Sequence, residues 1–148
     1  MVMRHVMIGL LAASTMAIAC KKKAEDHTAP PAGTQNTAVA VENVKLGTAV
    51  GNDKRVQQTK DEFKPNDTIY VSVETKGTAP EATVTARWKF GNEQVVSETS
   101  QRVTPKDAMA TEFHIQKPDG WPTGDYHVDI LVNGEKVATK DFEVKAGT

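Results

Sequence analysis

Side chains able to do covalent chemistry are sparse in this chain of 148 residues, and its one cysteine, Cys20, stands out. Cys20 lies in the stretch MAIACKKK, between an apolar segment and three lysines. A cysteine can serve as a nucleophile, a metal ligand or half of a disulfide, or it can carry a modification unrelated to the fold. Because there is no second cysteine, an intramolecular disulfide is excluded.

Hydroxyl nucleophiles also lack the partners that catalysis requires. Ser72, Ser97 and Ser100 have no histidine at a spacing typical of hydrolases, and the sequence contains no G-x-S-x-G, H-E-x-x-H, P-loop or G-x-G-x-x-G motif. Lys plus Arg is 18 and Asp plus Glu is 19, so no basic excess indicates nucleic acid. The sequence therefore predicts a protein that is not an enzyme, that uses no cofactor and that does not bind nucleic acid.

His127 and Asp129 are candidate metal ligands, because they are two residues apart and would share the outer face of one strand. His114 falls on another predicted strand. A metal site needs roughly three or four convergent ligands and a supporting second layer, and only a pair is indicated here. We interpret these residues as a solvated strand face and predict no metal. Arg87 and Lys89 are interpreted in the same way.

The most distinctive loop reads DGWPTGDY, with Trp121 between Gly120 and Pro122. An exposed indole here could stack on a sugar ring or a protein partner. Alternatively, Trp121 caps one end of the fold while Gly120, Pro122 and Gly124 shape the crossover into Tyr126. We favour the cap and keep Trp121 as the candidate ligand-binding residue.

The elements that position these side chains are strands, because apolar residues recur at every second position from Val39 onward. The clearest case is ATVTARWKF, where Val84, Ala86, Trp88 and Phe90 share one face. The segments with strand character are AVAVENVKLG, DTIYVSVET, ATVTARWKF, QVVSETSQRV, AMATEFHI, YHVDILV and KVATKDFEV. Seven or eight short strands without helical periodicity predict an all-β, antiparallel β-sandwich.

Asn133 and Gly134 form the strongest hairpin signal, since a type I′ turn requires positive φ at both positions. A two-residue turn pairs Ile130 with Val137. The apolar residues of the last strand then have the wrong parity, so we predict a β-bulge between Ala138 and Asp141 that rotates the strand.

Two residues make the prediction of a β-sandwich more specific. Trp88 lies in the middle of the third predicted strand, and Tyr126 opens the penultimate strand after a turn-rich loop. This arrangement resembles the disulfide-free immunoglobulin-like, or fibronectin-type-III-like, modules of bacterial surface proteins. The resemblance covers 39–145, followed by a short tail at 146–148. It implies a buried Trp88 and a tyrosine-corner hydrogen bond from Tyr126, and it says little about activity.

The first residues have the plan of a secretory signal. Arg4 supplies a basic start, residues 6–18 carry no charge, and Ala17-Ile18-Ala19 places small residues before Cys20. The apolar run is shorter than the roughly 20 residues of a transmembrane helix.

This segment resembles a bacterial lipoprotein signal, in which the cysteine becomes the acylated first residue. The resemblance implies a signal peptide at 1–19, a lipid on Cys20 and membrane attachment, with Lys21 compatible with the outer membrane facing the periplasm or with the cell surface. Ala17 departs from the usual leucine of this motif and also suits ordinary signal peptidase. Cleavage without lipidation and an uncleaved anchor therefore remain alternatives.

Between the signal and the strands, 20–38 contains no large apolar residue and is rich in Ala, Pro, Thr and charge. Such a composition predicts a flexible linker, and its stretch Lys21 to Asn36 would have a root-mean-square span of about 20–25 Å. The sequence thus predicts a lipid-anchored envelope protein that displays an immunoglobulin-like domain for contact with an envelope protein or a glycan. The alternatives are a periplasmic module for a small ligand, carbohydrate or metal, and an inhibitor of an envelope hydrolase that would insert the segment Gly47 to Asp61.

Overall fold

The computed structural model describes residues 39–147, and the predictions for the signal peptide at 1–19 and the linker at 20–38 lie outside them. The described part consists of strands and connections. No helix in it could cross a membrane. The strands are β1 (Val39–Gly47), β2 (Glu62–Phe63), β3 (Ile69–Gly77), β4 (Ala82–Phe90), β5 (Gln94–Val103), β6 (Met109–Ile115), β7 (Gly124–Val132) and β8 (Glu135–Val144).

The strands form two sheets, of three strands in the order β1-β3-β6 and of five strands in the order β2-β8-β7-β4-β5. Successive strands therefore alternate between the sheets through most of the chain, and the two sheets enclose one core. Together with the central Trp88 and the corner at Tyr126, this order makes the fold an immunoglobulin-like β-sandwich.

One pairing departs from the antiparallel prediction, because β2 runs parallel to β8. Glu62 lies opposite Glu143 and Phe63 lies opposite Val144. The cause is that the chain leaves β1 in the first sheet, makes a long excursion, and crosses to the second sheet without reversing direction. The sequence does not predict β2, because a strand of two residues is too short to show alternation. Trp88 therefore lies in the fourth strand of the structure and not in the third, as predicted.

The core follows the period-two pattern. Trp88 is fully buried, and its ring meets Phe142 edge to face with ring centroids 5.9 Å apart. Phe63 in turn packs on Phe142 at 5.6 Å, so the short β2 contributes a core residue. The other fully buried large side chains are Phe113, Leu46, Ile69, Ile130, Val71, Val73, Val84, Val128 and Val144.

The hairpin between β7 and β8 turns at Asn133 and Gly134, whose φ angles are +52° and +86°. The predicted pairing of Ile130 with Val137 is wrong, since Ile130 pairs with Ala138. The predicted bulge is present but lies earlier: Val137 is the extra residue, and it is 47% exposed. A bulge close to the turn rotates the whole remaining strand, which brings Phe142 into the core.

The sandwich has two unlike ends. The amino end is marked by Val39 where β1 begins, by Val103 where β5 ends and by the turn at Asn133. The loop end, opposite to it, carries the connections 48–61, 64–68, 91–93 and 116–123. The connections at the amino end are 78–81, 104–108 and 133–134. The first β-strand thus enters the domain at the end that has the fewer connections.

Candidate functional site

An open groove of about 580 Å³ lies at the loop end, between the start of β5 and the connection 116–123. Its apolar part is formed by Phe90, Val95, Trp121 and Tyr126, and Val95 is 51% exposed. The groove continues into a smaller depression beside the end of β6, which Trp121 also lines. This is where the structure places the candidate ligand-binding residue.

Trp121 is only 8% exposed and belongs to the core cluster. Its backbone N–H donates to the carbonyl of Pro65 at 2.8 Å, and its ring meets Tyr126 edge to face at 6.3 Å. Its indole nitrogen is buried and has no hydrogen-bond partner among the described residues. A ring packed in this way acts as a cap on the loop end. A role for Trp121 in ligand binding stays a prediction.

Tyr126 fixes the connection that carries Trp121. The phenol donates to the carbonyl of Pro122 at 2.8 Å, and the ring stacks on Phe142 at 5.3 Å. Burial raises the pKa of Tyr126, so the hydroxyl stays protonated and remains a donor. Gly124, at the start of β7, has a φ of +141°, and a Cβ there would lie 3.0 Å from the ring of Phe90. The carboxyl-terminal end of the loop is therefore fixed by Tyr126 and by the close packing at Gly124.

The outer face of the five-stranded sheet contains the main departure from the sequence interpretation. Asp129 is 2% exposed and Lys89 is 8% exposed, so neither belongs to a solvated face. The Lys89 ammonium lies 3.1 Å from the Asp129 carboxylate. Asp129 lies on β7 and Lys89 on the adjacent central strand β4, and Lys136 and Glu93 also contact the pair.

Asp129 also receives other donors. The hydroxyl of Thr139 donates to it at 2.6 Å, and the Lys136 ammonium lies at 3.8 Å. Burial raises the pKa of Asp129, but the hydrogen bonds from Thr139 and Lys89 and the nearby positive charges outweigh this effect and hold the pKa below its usual value. The hydrogen bonds that the Lys89 ammonium donates to the Glu93 and Asp129 carboxylates raise the pKa of Lys89. The arrangement is a satisfied charge network rather than an open site.

The three residues considered for a metal do not converge. His127 lies on β7 in the five-stranded sheet, whereas His114 lies on β6 in the other sheet, beside the Glu112 carboxylate at 2.6 Å. Within residues 39–147 no group of at least three His, Cys, Asp or Glu side chains could hold a metal ion. Asp129 is also not a free metal ligand beside His127, because its carboxylate already contacts Lys89 and accepts a hydrogen bond from Thr139.

The segment Gly47 to Asp61 continues from the end of β1, where Gly47 forms a bridge with Thr59. A bridge between Val50 and Val56 closes it, and Val56 is buried. A Cβ on Gly47 would come within 2.5 Å of the carbonyl oxygen of Gln58, so the segment packs directly on the strand. Residues 52–55 at the tip of this segment are exposed, and an inhibitory role for the segment stays a prediction.

Comparisons with known proteins give structural likenesses alone. No protein-family model matches the chain, and no curated protein sequence matches it. An immunoglobulin-like protein of Pseudomonas aeruginosa is 12% identical at a TM-score of 0.49, over 72% of this chain and 96% of that one. The CARDB domain of a Pyrococcus furiosus protein, in complex with di-metal ions, is 16% identical at 0.46, over 72% and 87%.

A third solved structure is the alkylpurine DNA glycosylase AlkC of Pseudomonas fluorescens bound to DNA containing an abasic site analog. It is 18% identical at a TM-score of 0.45, and the match covers 74% of this chain. This chain spans 31% of the glycosylase chain. At these scores the likenesses carry no argument about activity, and the description of the fold rests on the strand order and the core.

Proposed function

We propose that this protein is a non-enzymatic, lipid-anchored protein of the cell envelope that displays an immunoglobulin-like binding domain. Cys20 is the acylated residue, and the segment 20–38 links it to the domain. The contact surface is the loop end of the sandwich. The partner is an envelope protein or a glycan.

The observation that supports this proposal is the position of Val39. The linker joins the domain there, at the amino end, whereas four connections are grouped at the loop end. A nine-residue strand such as β4 spans about 30 Å, so attachment through Val39 leaves the loop end about that far from the point of attachment. Loops held by a rigid sandwich are a common place for binding residues.

The lipid anchor predicts a specific change on replacing Cys20 with alanine. The parent protein should be extracted only with detergent and should carry the mass of acyl chains, whereas Cys20→Ala should lose that mass and leave the membrane fraction. Stable attachment needs at least two lipid chains or equivalent signals, so loss of all acylation removes it. Intact mass spectrometry of the membrane-extracted protein makes the measurement. A mature parent chain that begins at Cys20 without lipid mass would contradict the anchor.

Contact at the loop end is tested by placing a photo-crosslinking residue at Asp119, whose side chain is 93% exposed in the connection 116–123. The matched control is Glu81, which is exposed in the connection at the amino end. In intact cells, the Asp119 variant should give a discrete crosslinked species that is absent or much weaker for Glu81. Equal crosslinking at both positions, or crosslinking only at Glu81, would contradict the loop end as the contact surface.

A further inference from the structure

Strand β5 leaves one edge of the five-stranded sheet open. It is 10 residues long and pairs only with β4 among the described strands. The other edge strand of this sheet, β2, has two residues. Unpaired backbone groups along a long edge can accept another strand. On its outer face β5 carries Glu98, Ser100 and Arg102, all exposed.

The regular part of this edge has a definite centre. Pairing with β4 continues without interruption from Val103 to Ser97, and a bulge at Val96 then breaks the register. A bulge bends the strand and limits further pairing. The usable edge is therefore Ser97 to Val103, and its middle residue is Ser100.

The charges on this edge are symmetric about the same residue. Glu98 lies two positions before Ser100, and Arg102 lies two positions after it. We propose that a second copy of this chain pairs with the first through β5, antiparallel and about a two-fold axis at Ser100. Glu98 of each copy then lies opposite Arg102 of the other, and the two five-stranded sheets become continuous.

Other registers lose this complementarity. A shift that centres the pair between two residues would place core-side residues opposite outer-face residues. Centring on Thr99 or Gln101 leaves Glu98 opposite an uncharged residue. Centring on Glu98 or on Arg102 places like charges opposite each other, which is destabilising. The centre at Ser100 is the one that pairs both charges of both copies.

The side chains are available for this contact. Arg102 makes no ion pair within residues 39–147. Glu98 bonds Arg87 of its own chain, yet its side chain remains 45% exposed. The Glu98 carboxylate would therefore lie between two arginines, Arg87 of its own chain and Arg102 of the second copy. The pairing needs no lipid, although confinement to a membrane would raise the effective concentration of the two copies.

Replacing Ser100 with cysteine in the full chain tests the two-fold axis. Directly opposite residues on antiparallel strands have Cα atoms about 4.5–5.5 Å apart, which suits a disulfide. Under mild oxidation of intact cells, the Ser100→Cys protein should form a dimer of twice the mass that a reductant removes. The matched control is Val137→Cys, exposed on β8, and the parent chain controls for Cys20. We expect about tenfold more dimer for Ser100→Cys than for either control.

Charge inversion tests the register in the Ser100→Cys background. Glu98→Arg places two arginines opposite each other in a homodimer, and Arg102→Glu places two glutamates opposite each other. Each inverted protein alone should give about tenfold less dimer, whereas coexpression of the two should restore it, because every opposite pair then has unlike charges. Coexpressed proteins of different tag length identify the mixed dimer.

The folded state is checked by far-UV circular dichroism, since Ser100 also hydrogen-bonds Thr85 at 2.7 Å and Glu98 bonds Arg87. A folded Ser100→Cys protein with no more dimer than Val137→Cys would overturn the pairing. A dimer that is insensitive to charge inversion would overturn the register. Disulfides to a different protein in place of the dimer would assign the edge to another partner and would also overturn the proposal. Loss of membrane attachment in Cys20→Ala bears only on the anchor.

Discussion

Trp88→Ala is expected to lower the free energy of unfolding by about 3–5 kcal/mol. Trp88 is fully buried, and it joins the two sheets through the core cluster that contains Phe142. Alanine leaves a cavity between close-packed layers that strands cannot fill by small movements. Since domains of this size are stable by about 5–15 kcal/mol, the variant should retain little stability at 37 °C. Urea unfolding followed by far-UV circular dichroism measures the loss.

A milder replacement separates packing from polarity at the same position. The indole nitrogen of Trp88 has no hydrogen-bond partner among the described residues, so Trp88→Phe removes no bond. We expect it to cost about 1–2 kcal/mol, from volume alone. Val95→Ala, at a half-exposed position, should change stability by less than about 0.5 kcal/mol. If Trp88→Ala were no more destabilising than Val95→Ala, the position of Trp88 in the core would be wrong.

Asp129→Ala is expected to destabilise the domain by about 1–2 kcal/mol, because it removes the buried acceptor of the Lys89 ammonium, which keeps only the exposed Glu93 carboxylate. This is less than the cost at a fully interior ion pair. The pair lies on a sheet face, so solvent and the remaining Glu93 carboxylate partly compensate the loss of Asp129. Thr139 also loses the acceptor of its hydrogen bond. Chemical denaturation at pH 7 checks the magnitude.

Two controls define the cause of this loss. Asp141→Ala removes an exposed carboxylate from the same sheet face and should change stability by less than about 0.5 kcal/mol. The double variant Lys89→Met/Asp129→Leu removes both charges and should recover most of the loss, since an apolar pair of similar volume can replace a buried ion pair. A double variant as unstable as Asp129→Ala would show that lost packing, and not an orphaned charge, is responsible.

The same carboxylate predicts the direction of the pH dependence. The pKa of Asp129 is lower in the folded protein than in the unfolded chain, so its contribution is complete above about pH 4 and is lost as the pH falls through the lowered folded-state value. The Lys45 hydrogen bond likewise lowers the pKa of Glu74. Because Asp129→Ala lacks the Asp129 carboxylate, the parent should lose stability in acid more steeply than this variant.

The inside of the fold could be predicted from the sequence because core packing leaves a repeat of two along each strand. Alternation in ATVTARWKF placed Val84 and Trp88 on one buried face, and both are fully buried. The turn at Asn133 and Gly134 followed from backbone sterics alone. The polar run QVVSETSQRV is typical of an edge or solvent-facing strand, and β5 is one of the two edge strands of its sheet. These features depend on residues that are close together in the sequence, so they can be predicted without the tertiary structure.

Other features depend on which strands become neighbours. The strand β2 is too short to show alternation in the sequence. It forms by pairing in parallel with β8. The bulge occurs at Val137 rather than between Ala138 and Asp141, since several positions give the same parity and packing selects one. Asp129 and Lys89 follow the outward half of the pattern, yet both are buried because β7 and β4 are central strands flanked by long side chains.

The sequence by itself determined the type of fold, the turn between the last two strands and the expectation of an anchor at Cys20. Tertiary structure decided which end carries the connections, and it buried Val56 within the otherwise mostly exposed segment Gly47 to Asp61. It also showed that the free edge of β5 is centred on Ser100. The physical reason is that a period of two reports whether a side chain points inward, whereas burial of an outward side chain and exposure of an edge depend on residues distant in the chain.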